Sequence, residues 1–349
     1  MNKLNETIER ITPPDESMQS EAARYLDTLT KPPGSLGRLE ELAIQLAGIT
    51  RNLRPDLSKR AVVVMAGDHG VCEEGISAYP QEVTSQMVAN FLNGGAAINV
   101  LARRAGAEVV CVDMGIKADL RHEDLHVRKI REGTSNFTRG AAMTREEAVR
   151  AIESGIDIAR KLAGEGCRLF ATGEMGIGNT TSSAAILAVF AGIETGLAVG
   201  RGTGIDDDGM QRKHDAIRRA ISVNAPDAGD PLDVLSKLGG FEIAGMAGVI
   251  LGAAALQCPV VIDGFISGVA ALTAVSLAPD AWGYLIPSHL SQERGHRLVL
   301  ERLGLRPLLD LNMRLGEGTG AVLAFPLLDA AVSIMREMAT FESAGVSRG

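Results

Sequence analysis

Two amphipathic stretches lie near the start of the chain, and a different pattern follows them. In residues 16–29 and 38–51 apolar side chains recur at three- and four-residue spacing, which predicts a helix in each stretch. Residues 31–37 between them contain two prolines and two glycines, so we expect them to end one helix and start the next. The C-terminal part returns to the helical pattern, most clearly in residues 320–340.

From residue 60 onward, short apolar and β-branched runs alternate with helical stretches. These runs predict strands at residues 61–65, 108–112, 167–171, 259–262 and 281–286. Strands separated by helices are typical of βαβ units, whose strands pair in parallel. Glycines and polar residues follow each run, at the edge where open α/β sheets bind ligands. The pattern therefore predicts an α/β fold with a parallel sheet and a ligand site at one sheet edge.

Composition narrows the possible partners. The 349 residues include 35 Lys and Arg against 43 Asp and Glu, a formal charge of −8, and 3% are aromatic. A face that follows phosphates or stacks bases is therefore not expected, and nucleic acid is a poor candidate. The N-terminal residues contain no apolar signal-like region, and the longest apolar run, residues 243–256, is too short to span a bilayer. We expect a cytoplasmic protein that binds no membrane.

Residues 173–181, Gly-Glu-Met-Gly-Ile-Gly-Asn-Thr-Thr, are close to a phosphate-binding P-loop, but Asn179 occupies the position of the P-loop lysine. Without that lysine, hydrolysis of a nucleoside triphosphate is not expected. Backbone N–H groups and hydroxyls at a helix start can still hold a single phosphate. The alternative interpretation is an ordinary helix N-cap.

A second glycine-rich segment, residues 200–209, contains the consecutive aspartates Asp206, Asp207 and Asp208. Their oxygens suit Mg²⁺, although a solvated loop that caps the next helix explains them more simply. Lys213 follows one turn into that helix, where its charge can reach a phosphate. The string His-Glu-Asp-Leu-His at residues 122–126 matches a zinc motif, but its charged flanks indicate an exposed connection.

Two further segments have candidate roles. Residues 77–86 can form a pocket in which Tyr79 and Pro80 stack on a flat ring, or simply a helix that starts at the proline. Glu317 lies between glycines just ahead of the C-terminal helix, whose N-terminus would favour the ionised carboxylate. It is a candidate general base, with helix capping as the alternative, and Glu174 is a second candidate.

Eight motifs occur in order along nearly the whole chain, at residues 31–40, 66–71, 79–84, 173–181, 202–207, 263–265, 288–291 and 315–320. Together they resemble the nicotinate-nucleotide–dimethylbenzimidazole phosphoribosyltransferases of cobalamin biosynthesis. The resemblance implies a Rossmann-like, mostly parallel sheet flanked by helices in a large domain, residues 60–305. It also implies a small helical domain formed by both chain ends, residues 1–59 and 306–349, and a homodimer.

The resemblance further implies small-molecule substrates and a reaction. The 5-phosphoribosyl group passes from nicotinate mononucleotide to 5,6-dimethylbenzimidazole, giving α-ribazole 5′-phosphate and nicotinate, with no metal and no cofactor. Glu317 is implied as the base. The residues implied around the nucleotide are Glu174, Gly176, Gly178, Asn179, Thr180, Gly202, Lys213, Asp263 and Ser291. Those implied around the base ring are Ser77, Tyr79, Gln86, Met175 and Leu315.

The chemistry of this reaction agrees with the residue types. When one benzimidazole nitrogen attacks the anomeric carbon, the other N–H becomes acidic, and a carboxylate within hydrogen-bond reach can accept its proton. Nicotinate leaves from a cationic pyridinium, so no metal is needed to bear new negative charge. Two alternatives stay open: a Mg²⁺-dependent phosphoribosyltransferase or phosphohydrolase that uses residues 206–208, and a non-catalytic nucleotide-binding module in which Glu317 only caps a helix.

Overall fold

A parallel sheet organises the molecule. The computed structural model describes residues 2–202 and 204–347, and within these residues the sheet has six strands. The strands are β1 (Arg60–Gly67), β2 (Glu108–Gly115), β3 (Leu125–Val127), β4 (Leu169–Met175), β5 (Val260–Ile262) and β6 (Leu285–Pro287). Their order is β3-β2-β1-β4-β5-β6, and every neighbouring pair is parallel. This doubly wound order is that of the Rossmann fold, which confirms the predicted fold class.

Helices connect the strands and cover both faces of the sheet. In chain order they are α1 (Lys3–Ile8), α2 (Glu16–Leu26), α3 (Arg38–Thr50), α4 (Val83–Leu92), α5 (Ala97–Ala105), α6 (Arg145–Gly164), α7 (Asn179–Ala191), α8 (Thr195–Ala198), α9 (Asp207–Asn224), α10 (Pro231–Leu238), α11 (Phe241–Ala255), α12 (Phe265–Leu277), α13 (Arg294–Leu303), α14 (Thr319–Glu337) and α15 (Phe341–Ala344). Short 3₁₀ helices span Gly70–Glu74 and Pro279–Tyr284.

Strand β1 illustrates how the core forms on both faces of the sheet. Side chains alternate along a strand, so Val63 and Met65 belong to the core cluster that contains α6 and α11. Val62 and Val64 belong to the opposite cluster, which contains α3 and α14. Because both faces are covered, the strand is a continuous apolar run rather than an alternating one, and this is the pattern by which the sequence predicted it.

Glycines set the close approach of α6 and α11 on the first face. A Cβ on Gly155 of α6 would overlap the carbonyl oxygen of Gly245, and one on Gly248 of α11 would overlap that of Ile152. The two helices therefore contact each other through their backbones, which only glycine permits at these positions. Helix α11 in turn packs on β1 and β4, so this contact supports the middle of the sheet.

Helices from both ends of the chain meet on the second face. Helix α2 packs against α3, and α14 packs against α3 and α5. Leu26, Leu46 and Leu328 are buried in one cluster with Val62 of the sheet. Of the described residues, only those of α14 form a helix long and apolar enough to cross a membrane, and 56% of its apolar window is buried in this packing. The division of the chain into two domains stays a prediction.

Some element boundaries differ from the sequence prediction. Strand β4 continues to Met175 because its pairing with β1 continues, so the first part of the predicted phosphate loop is strand. Residues 281–284 lie in a 3₁₀ helix that begins at Pro279, and only Leu285 starts the strand. Strand β3 is not among the predicted strands, because three residues are too few for a recognisable period.

Candidate active site

A cavity of about 540 Å³ opens at the carboxyl ends of β4, β5 and β6. Such an edge, beside the point where the strand order reverses between β1 and β4, is where open α/β sheets bind ligands. The cavity is lined by Tyr79, Val83, Met87, Glu174, Met175, Gly176, Ile177, Asn179, Thr180, Gly202, Asp263, Gly264, Phe265, Ile266, Ser267, His289, Ser291, Glu293, Arg314, Leu315, Gly316 and Glu317.

Most residues that the sequence singled out meet at this cavity. The predicted residues in its wall are Tyr79, Glu174, Met175, Gly176, Asn179, Thr180, Gly202, Asp263, Ser291, Leu315 and Glu317. Four others lie outside the wall. Lys213 is directly behind it, and Gly178 packs against Cys72 and His69. Gln86 is exposed on α4, and the half-buried Ser77 accepts a hydrogen bond from the Tyr79 N–H.

Glu317 occupies an unusual backbone position in the cavity wall. Its φ is +62°, between Gly316 at +90° and Gly318 at +91°, so three successive residues are left-handed. Its buried carboxylate accepts a hydrogen bond from the N–H of Ile98 at 3.2 Å, in the first turn of α5. Burial raises the pKa of Glu317, and the Ile98 bond opposes that shift. Few non-glycine residues adopt this conformation, and functional sites are among the places where strain of this kind is kept.

The helix that stabilises Glu317 is therefore not the one expected from the sequence. The N-terminus of α14, which follows Glu317 directly, is capped by Asp263 instead. One Asp263 oxygen accepts from the Gly318 N–H at 3.1 Å, and the other from Gly320 at 2.8 Å and Ala321 at 3.1 Å. Burial raises the pKa of Asp263 to about 7, although these N–H groups favour the carboxylate.

Glu174 is a second buried carboxyl group in the wall. It accepts a hydrogen bond from the Asn179 side chain, at the start of α7. Burial raises its pKa to about 8, and the neighbouring carboxylates Glu242, Asp263 and Glu317 raise it further. Near neutral pH the group is therefore largely protonated, and it can donate a hydrogen bond to a ligand oxygen.

A cationic cradle lies beside the start of α7, at the cavity wall. The Lys213 ammonium group, in a side chain that is 1% exposed, donates to the Thr180 hydroxyl at 2.7 Å and to the Gly200 carbonyl at 3.2 Å. Burial lowers the pKa of Lys213 to about 8, against the opposing effect of Glu293. Because α7 also begins here, the positive end of its dipole and Lys213 together form a suitable site for one phosphate, although the N–H groups of Asn179 and Thr181 already donate to Gly176 and Gly178.

Another part of the cavity wall is apolar. Tyr79 and Leu315 are 55% and 57% exposed at the rim, and Val83, Met87 and Met175 continue the surface inward. Flat aromatic ligands are bound by surfaces of this kind, with a few polar groups that fix their orientation. The cavity thus joins a ring-sized apolar part to a phosphate-sized polar part, with Glu317 in the wall.

The aspartates of residues 206–208 do not converge on the cavity. Asp206 caps α9 through the Gly209 N–H at 2.8 Å, as the simpler interpretation predicted, and Asp207 pairs with Arg201 at 2.6 Å. All three aspartates are exposed. Within residues 2–202 and 204–347, no group of three or more His, Cys, Asp or Glu side chains has a metal-binding arrangement.

Several functional groups are missing from the sequence prediction. Ser267, His289, Glu293 and Arg314 line the cavity, and each stands next to or inside a segment with a recognised motif, so adjacency to those motifs was the available signal. Arg314 donates to the Gly202 carbonyl at 3.1 Å, which brings a second cation to the phosphate-sized end.

A buried His69–Glu242 pair lies behind the predicted phosphate loop, residues 173–181. Its N–O distance is 2.5 Å, and Glu242 lies beside the position that a Cβ on Gly176 would occupy. Glu242 is in the first turn of α11 and carries no local motif, so the sequence offered no signal for it.

Comparisons with known proteins agree with this geometry. A family model described as a phosphoribosyltransferase matches residues 11–346. The chain belongs to this family. A relative from Desulforamulus reducens, 56% identical over 100% of both chains, is named nicotinate-nucleotide–dimethylbenzimidazole phosphoribosyltransferase, and so is one from Chloroflexus aggregans, 57% identical over 99% of both. The chain is therefore an enzyme, a pentosyltransferase that transfers phosphoribosyl groups.

A solved structure supports the same assignment at the level of the fold. The phosphoribosyltransferase of the same name from Thermus thermophilus superposes with a TM-score of 0.91 at 49% identity. The match covers 96% of this chain and 100% of that one, so the similarity includes the sheet and the helices from both chain ends.

Proposed function

We propose that this enzyme transfers the 5-phosphoribosyl group of nicotinate mononucleotide to 5,6-dimethylbenzimidazole, giving α-ribazole 5′-phosphate and nicotinate in cobalamin biosynthesis. The names of its relatives support the two substrates. The observation that carries the proposal is the position of Glu317, a buried carboxylate in the wall of a cavity that also has an apolar rim and a cationic cradle. A flat azole and a nucleotide phosphate each have a matching surface there.

In the proposed reaction the benzimidazole lies against Met175 and Leu315, with one N–H directed at Glu317. Its other nitrogen attacks C1′ of the ribose from the face opposite nicotinate. As the new C1′–N bond forms, the bond to nicotinate breaks and its electron pair returns to the pyridine nitrogen. Attack from the opposite face converts the β-linkage to an α-linkage.

Glu317 takes the azole N–H proton in this scheme. The attacking ring gains positive charge, so its remaining N–H becomes acidic at the moment a base is needed. Burial raises the pKa of Glu317, which makes it a stronger base than an exposed glutamate, while the Ile98 N–H keeps it oriented. The leaving group becomes neutral at nitrogen, so the reaction needs no metal to stabilise it. We propose a metal-independent displacement for this reason.

The nucleotide phosphate is proposed to bind at the start of α7, close to Thr180 and Gly202. Lys213 contributes its charge from behind Thr180, and Arg314 does so from the rim. Glu174 and Asn179 lie between this cradle and Glu317, where they can contact the ribose hydroxyls. A fixed phosphate and a fixed ring would hold the two reacting atoms in line, which is a large part of the rate enhancement in such transfers.

The assembly of the enzyme is also a proposal. The family resemblance supports a homodimer in the cytoplasm, with the small helical domain built from residues 1–59 and 306–349. Light scattering on the purified protein measures its mass in solution, and the mass of a single chain would refute the homodimer.

The decisive experiment follows nicotinate release from nicotinate mononucleotide and dimethylbenzimidazole, with and without EDTA. Glu317→Gln preserves the shape of the side chain and removes the base, so we expect kcat to fall by about 10²- to 10⁴-fold with nucleotide affinity unchanged. Asp208→Asn is the matched control, and it should behave as wild type.

Two outcomes would contradict the proposal. Activity that is lost in EDTA and in Asp208→Asn would support a magnesium-dependent enzyme instead. Nucleotide binding without any release of nicotinate, in wild type as in Glu317→Gln, would indicate a binding protein.

A further inference from the structure

Asp263 lines the cavity, but its oxygens are already occupied by the protein. They accept hydrogen bonds from the N–H groups of Gly318, Gly320 and Ala321. An ionised carboxylate offers about four lone-pair positions. With three of these positions in use, Asp263 has little capacity left for a ribose hydroxyl, although its position at the end of β5 suggests such a role.

The hydrogen bond to Gly318 holds a specific peptide plane. That plane joins the Glu317 carbonyl to the Gly318 N–H, so holding the N–H also fixes the carbonyl. On the carbonyl side, the Gly173 Cα packs so closely that a Cβ there would overlap the Glu317 carbonyl oxygen. Glu317 is thus held from both sides of one peptide group, in the left-handed conformation that L-residues rarely adopt.

We propose that Asp263 is the positioning residue for Glu317, an inference that rests on the proposed function of Glu317 as the base. Asp263 holds the strained peptide after Glu317 so that the Glu317 carboxylate stays in the cavity wall, and it does not itself bind substrate. The hydrogen bond from the Ile98 N–H then sets the direction of the Glu317 carboxylate. The hydrogen bond from the Gly318 N–H to Asp263 holds the backbone of Glu317.

A double-mutant cycle tests this inference with Asp263→Asn, Glu317→Gln and the double variant. The amide of Asn can still cap α14 with its oxygen, but its NH₂ group faces the Gly318 N–H and cannot accept from it. We expect kcat to fall by about 10- to 100-fold in Asp263→Asn, with the KM for nicotinate mononucleotide unchanged. In the Glu317→Gln background, the same change should cause no further loss.

Asp230→Asn is the matched control for a helix-capping aspartate away from the cavity. Asp230 caps α10 through the N–H groups of Leu232 and Asp233, outside the cavity wall, and pairs with Arg145. The Asn oxygen can keep this cap, but the amide loses the ion pair, so we expect at most a small fall in the thermal midpoint and an unchanged kcat. Gly173→Ala disturbs the same Glu317 peptide from the other side, so it should lower kcat without changing the nucleotide KM.

The inference fails if Asp263→Asn raises the nucleotide KM and lowers kcat/KM by the same factor in both backgrounds, because independent losses indicate a substrate ligand. It also fails if kcat is unchanged in Asp263→Asn. A crystal structure of Asp263→Asn gives a readout without activity: the Glu317–Gly318 peptide plane should rotate, and an unchanged ψ of Glu317 with an unmoved carboxylate would overturn the proposal. Absence of turnover in wild type would refute the proposed function instead, while the crystal structure would still decide the role of Asp263.

Discussion

Glu174 offers a prediction about how the stability of the protein depends on pH. Its carboxyl group is buried beside three other carboxylates, and its pKa is raised from 4.5 to about 8. The pKa of Glu174 is higher in the folded protein than in the unfolded chain, so as the pH rises Glu174 ionises at a lower pH in the unfolded chain. The folded protein therefore loses stability as the pH rises from about 4.5 through 8. Glu174→Gln removes this loss, since its neutral amide has nearly the shape of the protonated acid.

The size of the effect follows from the two pKa values. Each pKa unit is worth 1.36 kcal/mol. The raised pKa of Glu174 therefore lowers the free energy of unfolding by about 1 kcal/mol at pH 5 and about 4 kcal/mol at pH 8. The stability of Glu174→Gln relative to wild type should therefore rise by about 3 kcal/mol between these pH values. Any constant cost of the amide itself cancels in this comparison.

Urea unfolding of both proteins at pH 5, 6.5 and 8 measures this difference. Glu123→Gln, at an exposed position, is the control, and its stability relative to wild type should not change over the same range. A Glu174→Gln stability difference that is equal at all three pH values, or that falls as pH rises, would refute the reasoning.

Two other changes have defined expectations. Gly248→Ala places a methyl group on the Ile152 carbonyl and should lower the free energy of unfolding by about 1–3 kcal/mol. Gly164→Ala is the control, because a Cβ at this position at the end of α6 meets nothing within 4 Å, and it should be neutral or slightly stabilising in the same urea titration. An equal loss of unfolding free energy in the two variants would contradict the packing argument. Lys213→Met should raise the KM for nicotinate mononucleotide by about 10- to 100-fold with a smaller effect on kcat. In wild type, nucleotide affinity should weaken above pH 8 as Lys213 loses its proton, and calorimetry that finds no such trend would refute that role.

Local sequence patterns predicted the sheet and part of the cavity wall, and the family resemblance implied most of the other wall residues. Apolar runs such as residues 61–65 predict buried strands because both sheet faces are covered, and polar residues after parallel strands must gather at one edge. Glu174 and Asn179 were found in this way, and Glu317 was found from its glycine neighbours ahead of the C-terminal helix. The failures were also local: β3 has three residues, and the 3₁₀ helix before β6 is as apolar as a strand.

The partners of those residues were decided only by the tertiary structure. Glu317 receives its N–H bond from Ile98, 219 positions away, and Asp263 caps a helix that starts more than fifty residues later. A single sequence contains the periods that define helices and strands, but hydrogen bonds across the fold depend on where those elements pack. The sequence therefore determined which residues reach the sheet edge, and the packing of α5 and α14 determined that Glu317 is oriented by one helix while Asp263 holds the start of the other.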